Sequence, residues 1–139
     1  PGTGVFTEQI VKRMQPSTTL LVIETNVAFY EKLSVIYDKV PNVTVVNDSA
    51  ENTKDLLSQY GLAAPDYVVS GLPFAALPAH VSDTILKNTV DLLGDKGMFV
   101  TFQYTLLKRK LLNSHFSSVK IHRELRNIPP AYVLECRNT

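Results

Sequence analysis

The sequence is poor in several features at once, and each shortage excludes something. There is one cysteine, Cys136, so no internal disulfide can form, and no CxxC or paired Cys/His spacing marks a structural metal site. A lone thiol fits a reducing, cytoplasmic setting. Fourteen Lys and Arg stand against thirteen Asp and Glu, a net charge of +1. That near-neutral balance gives no bulk electrostatic case for a nucleic-acid partner. No apolar run approaches the ~18–20 residues needed to cross a bilayer, so no transmembrane segment is expected, and no signal-peptide pattern is visible at the start. The three histidines, His80, His115 and His122, are scattered without metal-ligand spacing and read as structural or surface residues.

What remains is an ordinary globular balance: 139 residues, 45% hydrophobic and 19% charged, enough for one domain. The opening Pro1-Gly2-Thr3-Gly4 is a turn signal with no element before it. The expectation is therefore a single domain spanning 1–139 that is incomplete at its N-terminus.

Apolar runs alternate with amphipathic stretches along the whole chain. A helix is predicted over about 5–15, with Phe6, Ile10 and Met14 on its face and Pro16 after its end. Thr19 to Ile23 reads as a strand covered on both faces. Further helices are predicted at 27–39 (Phe29, Leu33 and Ile36 inward), at 50–60 (stopped by Gly61) and from Pro78 to Leu93 (Val81, Ile85, Leu86 and Val90 inward). Strands are predicted at 43–46, 66–70 (DYVVS, buried) and 97–104. A basic helix at 105–113 precedes two last strands, 119–123 and 132–136. Arg126-Asn127-Ile128-Pro129-Pro130 is too short for a parallel crossover, so those two should pair antiparallel. The sum is an α/β fold: an open, mostly parallel sheet with helices on both faces and a C-terminal antiparallel hairpin. In such sheets ligands sit at the carboxyl ends of the strands.

Four constellations fall at those ends. Gly2-x-Gly4 opens a helix, where glycine lets the backbone bend and approach a ligand and the helix start presents free N–H groups; the alternative is a plain tight turn. Position 7, where a dinucleotide fingerprint would place its third glycine, is Thr, which disfavours an NAD enzyme. Glu24 ends the first strand, 20 residues after Gly4. Its carboxylate can accept both hydroxyls of a ribose; otherwise it is an acid favoured at a helix start. Asp48, in Asn47-Asp48-Ser49, can accept from an adenine amino group or cap the helix that follows. Ser70-Gly71-Leu72-Pro73-Phe74 ends the strand DYVVS, either bordering a pocket or forming a Pro-stabilised turn with Phe74 in the core.

Taken in order and at their spacing, PGTGVFT, IETN, NDSA and SGLPF resemble the motifs of class I S-adenosylmethionine (SAM)-dependent methyltransferases. The set is similar to the phospholipid N-methyltransferase group and, more distantly, to ribosomal RNA adenine dimethylases. The likeness runs along essentially the whole chain, including the tail RNIPPAYVLECR. It implies a Rossmann-like three-layer sandwich of strand order 3-2-1-4-5-7-6, strand 7 antiparallel and strand 1 upstream of Pro1. It implies SAM as cofactor, with S-adenosylhomocysteine as product, held at Gly2, Thr3, Gly4, Glu24, Thr25, Asp48, Ser49 and Ser70. Ser70, Gly71, Leu72, Pro73 and Phe74 would border the methyl acceptor.

One departure bears on the substrate. Enzymes that methylate a base amine carry Asn or Asp where Gly71 stands, so a flat adenine amine would be poorly held. An aliphatic amine can still be held by Ser70, backbone carbonyls and cation–π attraction to Phe74. The expected activity is therefore methyl transfer to the amine of a lipid such as phosphatidylethanolamine or an ornithine lipid. Tyr104, bulk water or a lipid phosphate are candidates to take the released proton. Lys108-Arg109-Lys110, beside Leu106, Leu107, Leu111 and Leu112, reads either as a solvated face or as a contact with anionic headgroups. Arg123, Arg126 and Arg137 add positive charge near the final hairpin and are candidates to hold a substrate phosphate. A cytoplasmic enzyme peripheral to the membrane is expected. The rival readings are an RNA adenine N6-methyltransferase and a non-catalytic Rossmann-like binding module.

Overall fold

The structure is a computed structural model and describes residues 2, 4–124 and 131–138. Thr3 and the segment from Arg126 to Pro130 lie outside the described residues. The chain divides into two compact units, Pro1–Thr53 and Lys54–Thr139, taken here in turn.

In the first unit, helix α1 (Val5–Arg13) leads to strand β1 (Leu20–Glu24), helix α2 (Val27–Tyr37) and strand β2 (Val43–Asn47). β1 and β2 pair in parallel, from Leu20 opposite Val43 to Glu24 opposite Asn47. Val22, Leu33 and Tyr37 form the buried centre, with Val11, Leu20, Val40, Val43 and Val45 packed against it. Each such side chain removed from water stabilises the unit by about 1.5–3 kcal/mol. α2 turns the expected Leu33 inward, but on both helices the buried stripe is shifted from the one expected. α1 buries Thr7 and packs Val11, while Phe6 is 43% exposed. α2 buries Leu33 and Tyr37, while Phe29 and Ile36 are exposed. Neighbouring i,i+4 stripes compete on each helix, and packing against the sheet chooses between them. Thr7/Val11 and Leu33/Tyr37 are both i,i+4 pairs on a single stripe, and small residues at 4 and 7 let α1 lie close.

The expected helix at 50–60 is a 3-10 turn, Ala50–Asn52, running into α3 (Thr53–Gln59). α3 buries Leu56 and Leu57.

In the second unit, β3 (Tyr67–Ser70), α4 (Ala79–Leu93), β4 (Met98–Gln103), α5 (Arg109–His115), β5 (Ser118–Glu124) and β6 (Ala131–Arg137) follow. Their sheet has the order β3-β4-β6-β5. β3 and β4 are parallel, and β6 is antiparallel to both β4 and β5. The two sheets thus carry the 3-2 and 4-5-7-6 stretches of the expected order, and the closing strands are antiparallel as their short connection requires.

α4 buries Ser82, Ile85, Leu86, Thr89 and Leu93. Phe99 joins the core rings, edge-on to Phe74 (centroids 6.3 Å) and stacked on Phe116 (5.5 Å), geometries that add to area burial. β3 is not buried as a whole: Tyr67 and Val69 are exposed, alternating as an edge strand does. The basic helix begins only at Arg109 and buries Leu112, leaving Leu107 80% exposed. Cys136 is fully buried, and burial pushes its thiol up to about 12, so it is a packing residue rather than a nucleophile. Among the described residues no group of His, Cys, Asp or Glu could hold a metal ion, and no helix is long and apolar enough to cross a membrane.

Candidate functional site

The first cluster lies at the carboxyl ends of β1 and β2. Gly4 takes a left-handed conformation (φ 87°, ψ 13°) and turns the chain into α1, its carbonyl accepting the first helical bond from the Glu8 amide at 2.8 Å. A Cβ on Gly4 would stand 2.7 Å from Leu33 Cδ2, so only glycine lets the bend rest on α2. The Gly2 amide donates to Glu24 Oε2 at 2.7 Å, and the Asn26 amide donates to Oε1 at 2.9 Å. The bend and the acid, 22 residues apart in sequence, therefore meet.

Glu24 is 8% exposed. Burial pushes its carboxyl up, the amides of Asn26 and Gly2 push it down, and the net lies below the ordinary value. It is an oriented anion at the end of a strand. The two amide bonds orient the carboxylate.

Two asparagines, given no role of their own from sequence, build this corner. Asn26 caps α2, its side chain accepting from the Phe29 amide at 3.1 Å, while its own amide serves Glu24. The signal was a cap-forming residue directly before an apolar helical run. Asn47 donates from Nδ2 to the carbonyls of Glu24 (2.8 Å) and Thr25 (3.1 Å), tying the two strand ends together. Thr25 thus takes part through its backbone.

Asp48 accepts from the Ser49 amide and from Asn52 Nδ2, both at 2.7 Å through Oδ1. The Asn52 amide group and the Ser49 N–H hold its carboxyl below the ordinary value. The cap of the next helical turn is Ser49, whose Oγ accepts from the Glu51 amide at 3.2 Å. The capping role considered for Asp48 thus belongs to its neighbour.

The second cluster lies within the second unit, at the carboxyl ends of β3 and β4. Ser70 Oγ accepts from the Leu72 amide at 3.1 Å, bending the chain through Gly71. The Leu72 carbonyl accepts from Phe74 N (3.0 Å) and Gln103 Nε2 (2.8 Å), and the Pro73 carbonyl from Ala76 N and Leu77 N. Both carbonyls are therefore engaged in the turn rather than open to an amine. Phe74 is 0% exposed and packs on Phe99. Its ring is a core element, so the expected cation–π wall is not Phe74. The proline-stabilised turn drives that residue inward.

A cleft of about 180 Å³ opens beside the turn, lined by Gly71, Pro73, Ala75, Ala76 and the strand end Phe102 to Thr105. The aromatic side chains it offers are Phe102 and Tyr104, the latter 68% exposed. Its buried polar residue is Gln103, 6% exposed, which sequence reasoning passed over because a glutamine closing a strand carries no motif.

No family model matches the chain. Over 137 residues it is 28% identical to an ornithine lipid N-methyltransferase of Singulisphaera acidiphila, covering 98% of this chain and 71% of that protein. Among solved structures it resembles a precorrin-6y C5,15-methyltransferase from Geobacter metallireducens, with TM-score 0.74 and 18% identity, covering 99% of this chain and 75% of that one. It also resembles an rRNA methylase from Streptococcus thermophilus (TM-score 0.70, 18% identity, 99% and 82% covered). A third is a plantazolicin methyltransferase in complex with S-adenosylhomocysteine (TM-score 0.66, 13% identity, 99% and 74% covered). This chain shares the fold of these methyltransferases, and its strand-end motifs stand in the order expected of class I SAM-dependent enzymes.

Proposed function

We propose that this protein transfers methyl groups from SAM to the amine of an amino lipid, phosphatidylethanolamine or an ornithine lipid, its 139 residues serving as one methyltransferase domain. The observation that carries the reading is the near full-length likeness to an ornithine lipid N-methyltransferase. The second cluster supports it: an apolar cleft with glycine at position 71 and aromatic rings at Phe102 and Tyr104 suits an aliphatic amine better than a purine edge.

Gly2, Gly4, Glu24 and Asp48 are the residues to hold the cofactor, Glu24 on the ribose hydroxyls and Asp48 on the adenine amine. Thr25, Ser49 and Ser70 belong to the same proposal, as does Thr3, which lies outside the described residues. SAM supplies an electrophilic methyl on a sulfonium, so an N–C bond forms as the C–S bond breaks and its electron pair returns to sulfur. The chain's own contribution is to position the amine and exclude water. The ammonium proton then leaves to water, to Tyr104 at the mouth of the cleft, or to a lipid phosphate.

Tyr104 and Leu107 are strongly exposed beside the exposed basic residues Arg109 and Lys110. That pairing of apolar and cationic groups suits peripheral contact with an anionic lipid surface. The test is transfer of radiolabelled methyl groups from SAM. Label is expected in vesicles containing phosphatidylethanolamine or ornithine lipid, and none in ribosomal RNA. Label in the RNA alone overturns the reading.

A further inference from the structure

We propose that Gln103 is the residue that accepts an N–H of the substrate amine, and that it makes the enzyme sensitive to how many methyl groups that amine already carries. This rests on the amino-lipid reading. Phe99, Thr101 and Gln103 share the buried face of β4, and the side chain of Gln103 ends that row at the cleft. Its Nε2 donates to the Leu72 carbonyl at 2.8 Å and to Thr101 Oγ1 at 2.8 Å. A carbonyl can only accept, so the end of the amide facing Leu72 must be the NH2 group, which fixes the orientation of the side chain. Both amide hydrogens are then engaged.

What remains is Oε1. No hydrogen bond to it is made among the described residues, and Gln103 lines the cleft. An amide oxygen with no protein donor at the cleft can accept a ligand N–H. The acceptor that base-methylating enzymes place at position 71 is absent here because that residue is Gly71. Gln103 offers an equivalent oxygen from the neighbouring strand, next to the same turn.

The chemistry then counts methyl groups. The nucleophile is the neutral amine, since the nitrogen lone pair must be free to form the N–C bond. A primary amine brings two N–H donors, a monomethylated amine one, and a dimethylated amine none. Gln103 Oε1 can therefore orient the first two and not the third.

The experiment compares wild-type and Gln103→Met protein on vesicles of phosphatidylethanolamine and of its N,N-dimethyl derivative, with S-adenosylhomocysteine affinity and thermal melting measured alongside. Methionine keeps the length of the side chain and removes the acceptor. The expected result is a fall of about tenfold or more in kcat/KM for the primary amine, the cost of one lost hydrogen bond of about 1.4 kcal/mol. The dimethylated amine should change by less than about twofold. Release of the Leu72 carbonyl would disturb the turn for both substrates alike, so an equal loss on both overturns the proposal, as does no loss on either. If the variant does not fold, the wild type decides by itself: a dimethylated amine turned over better than the primary one overturns the proposal, and the reverse order supports it. A wild type that methylates neither lipid overturns the amino-lipid reading and Gln103's role with it.

Discussion

Replacing Glu24 by alanine is expected to weaken S-adenosylhomocysteine binding by about 1–3 kcal/mol, roughly a fivefold to 150-fold rise in Kd, measured by titration calorimetry. Two losses combine. The carboxylate that would accept the ribose hydroxyls is gone, and so is the partner that holds the Gly2 amide at 2.7 Å and the Asn26 amide at 2.9 Å. Glu24→Gln separates them. One amide oxygen can still meet one of the two N–H groups, so the corner is half restored, while the charge-assisted bonds are lost.

The same group predicts a pH dependence. Its folded-state pKa lies below the ordinary value of 4.5. The stability it contributes is therefore fully present above that value and is lost as pH falls through the lower, folded one. Acid melting curves of wild-type and Glu24→Gln protein should differ near neutrality and converge in acid. Affinity unchanged in Glu24→Ala would refute the ribose role.

Gly4→Ala should destabilise the protein by about 2–4 kcal/mol, read as a lower denaturant midpoint. A left-handed backbone at φ 87° is strained for alanine. Its Cβ would also stand 2.7 Å from Leu33 Cδ2, on a side chain only 1% exposed and locked in the core of the first unit. Leu33 belongs to the buried cluster with Val22 and Tyr37, so moving it disturbs that core. Gly2→Ala is the matched control. Gly2 shares the positive φ (57°), but an added Cβ there would meet nothing within 4 Å, so only the backbone strain of about 1–2 kcal/mol is expected. Equal effects at the two positions would show that α1 does not rest on Leu33.

These residues also show what a sequence reader can and cannot see. Motifs at strand ends were legible because they depend on spacing along a repeating βα pattern, so Gly4, Glu24 and Asn47-Asp48-Ser49 fell at one corner as expected. The antiparallel closing hairpin was legible from a connection too short to cross over. Helix faces were less so. Phe6 and Phe29 are large and apolar, yet each lies off the stripe that meets β1 and β2, and periodicity alone does not choose between neighbouring stripes.

Phe74 was misplaced for a related reason. A loop aromatic after a proline can swing to a pocket or to the core, and the choice was made by Phe99 on a strand 25 residues later. Gln103 was invisible because its meaning comes from a long-range bond to Leu72, 31 residues earlier, beside a local one to Thr101 on its own strand.

The central claim is that a nucleoside is gripped by the amides of the Gly2/Gly4 bend and by Glu24. The most direct measurement is amide-resolved NMR of the 15N-labelled protein titrated with S-adenosylhomocysteine. Saturable shifts centred on Gly4, Asn26 and Ser49 are predicted, with NAD producing none. Shifts absent at this corner at saturating S-adenosylhomocysteine, or equal shifts with NAD, would contradict the account.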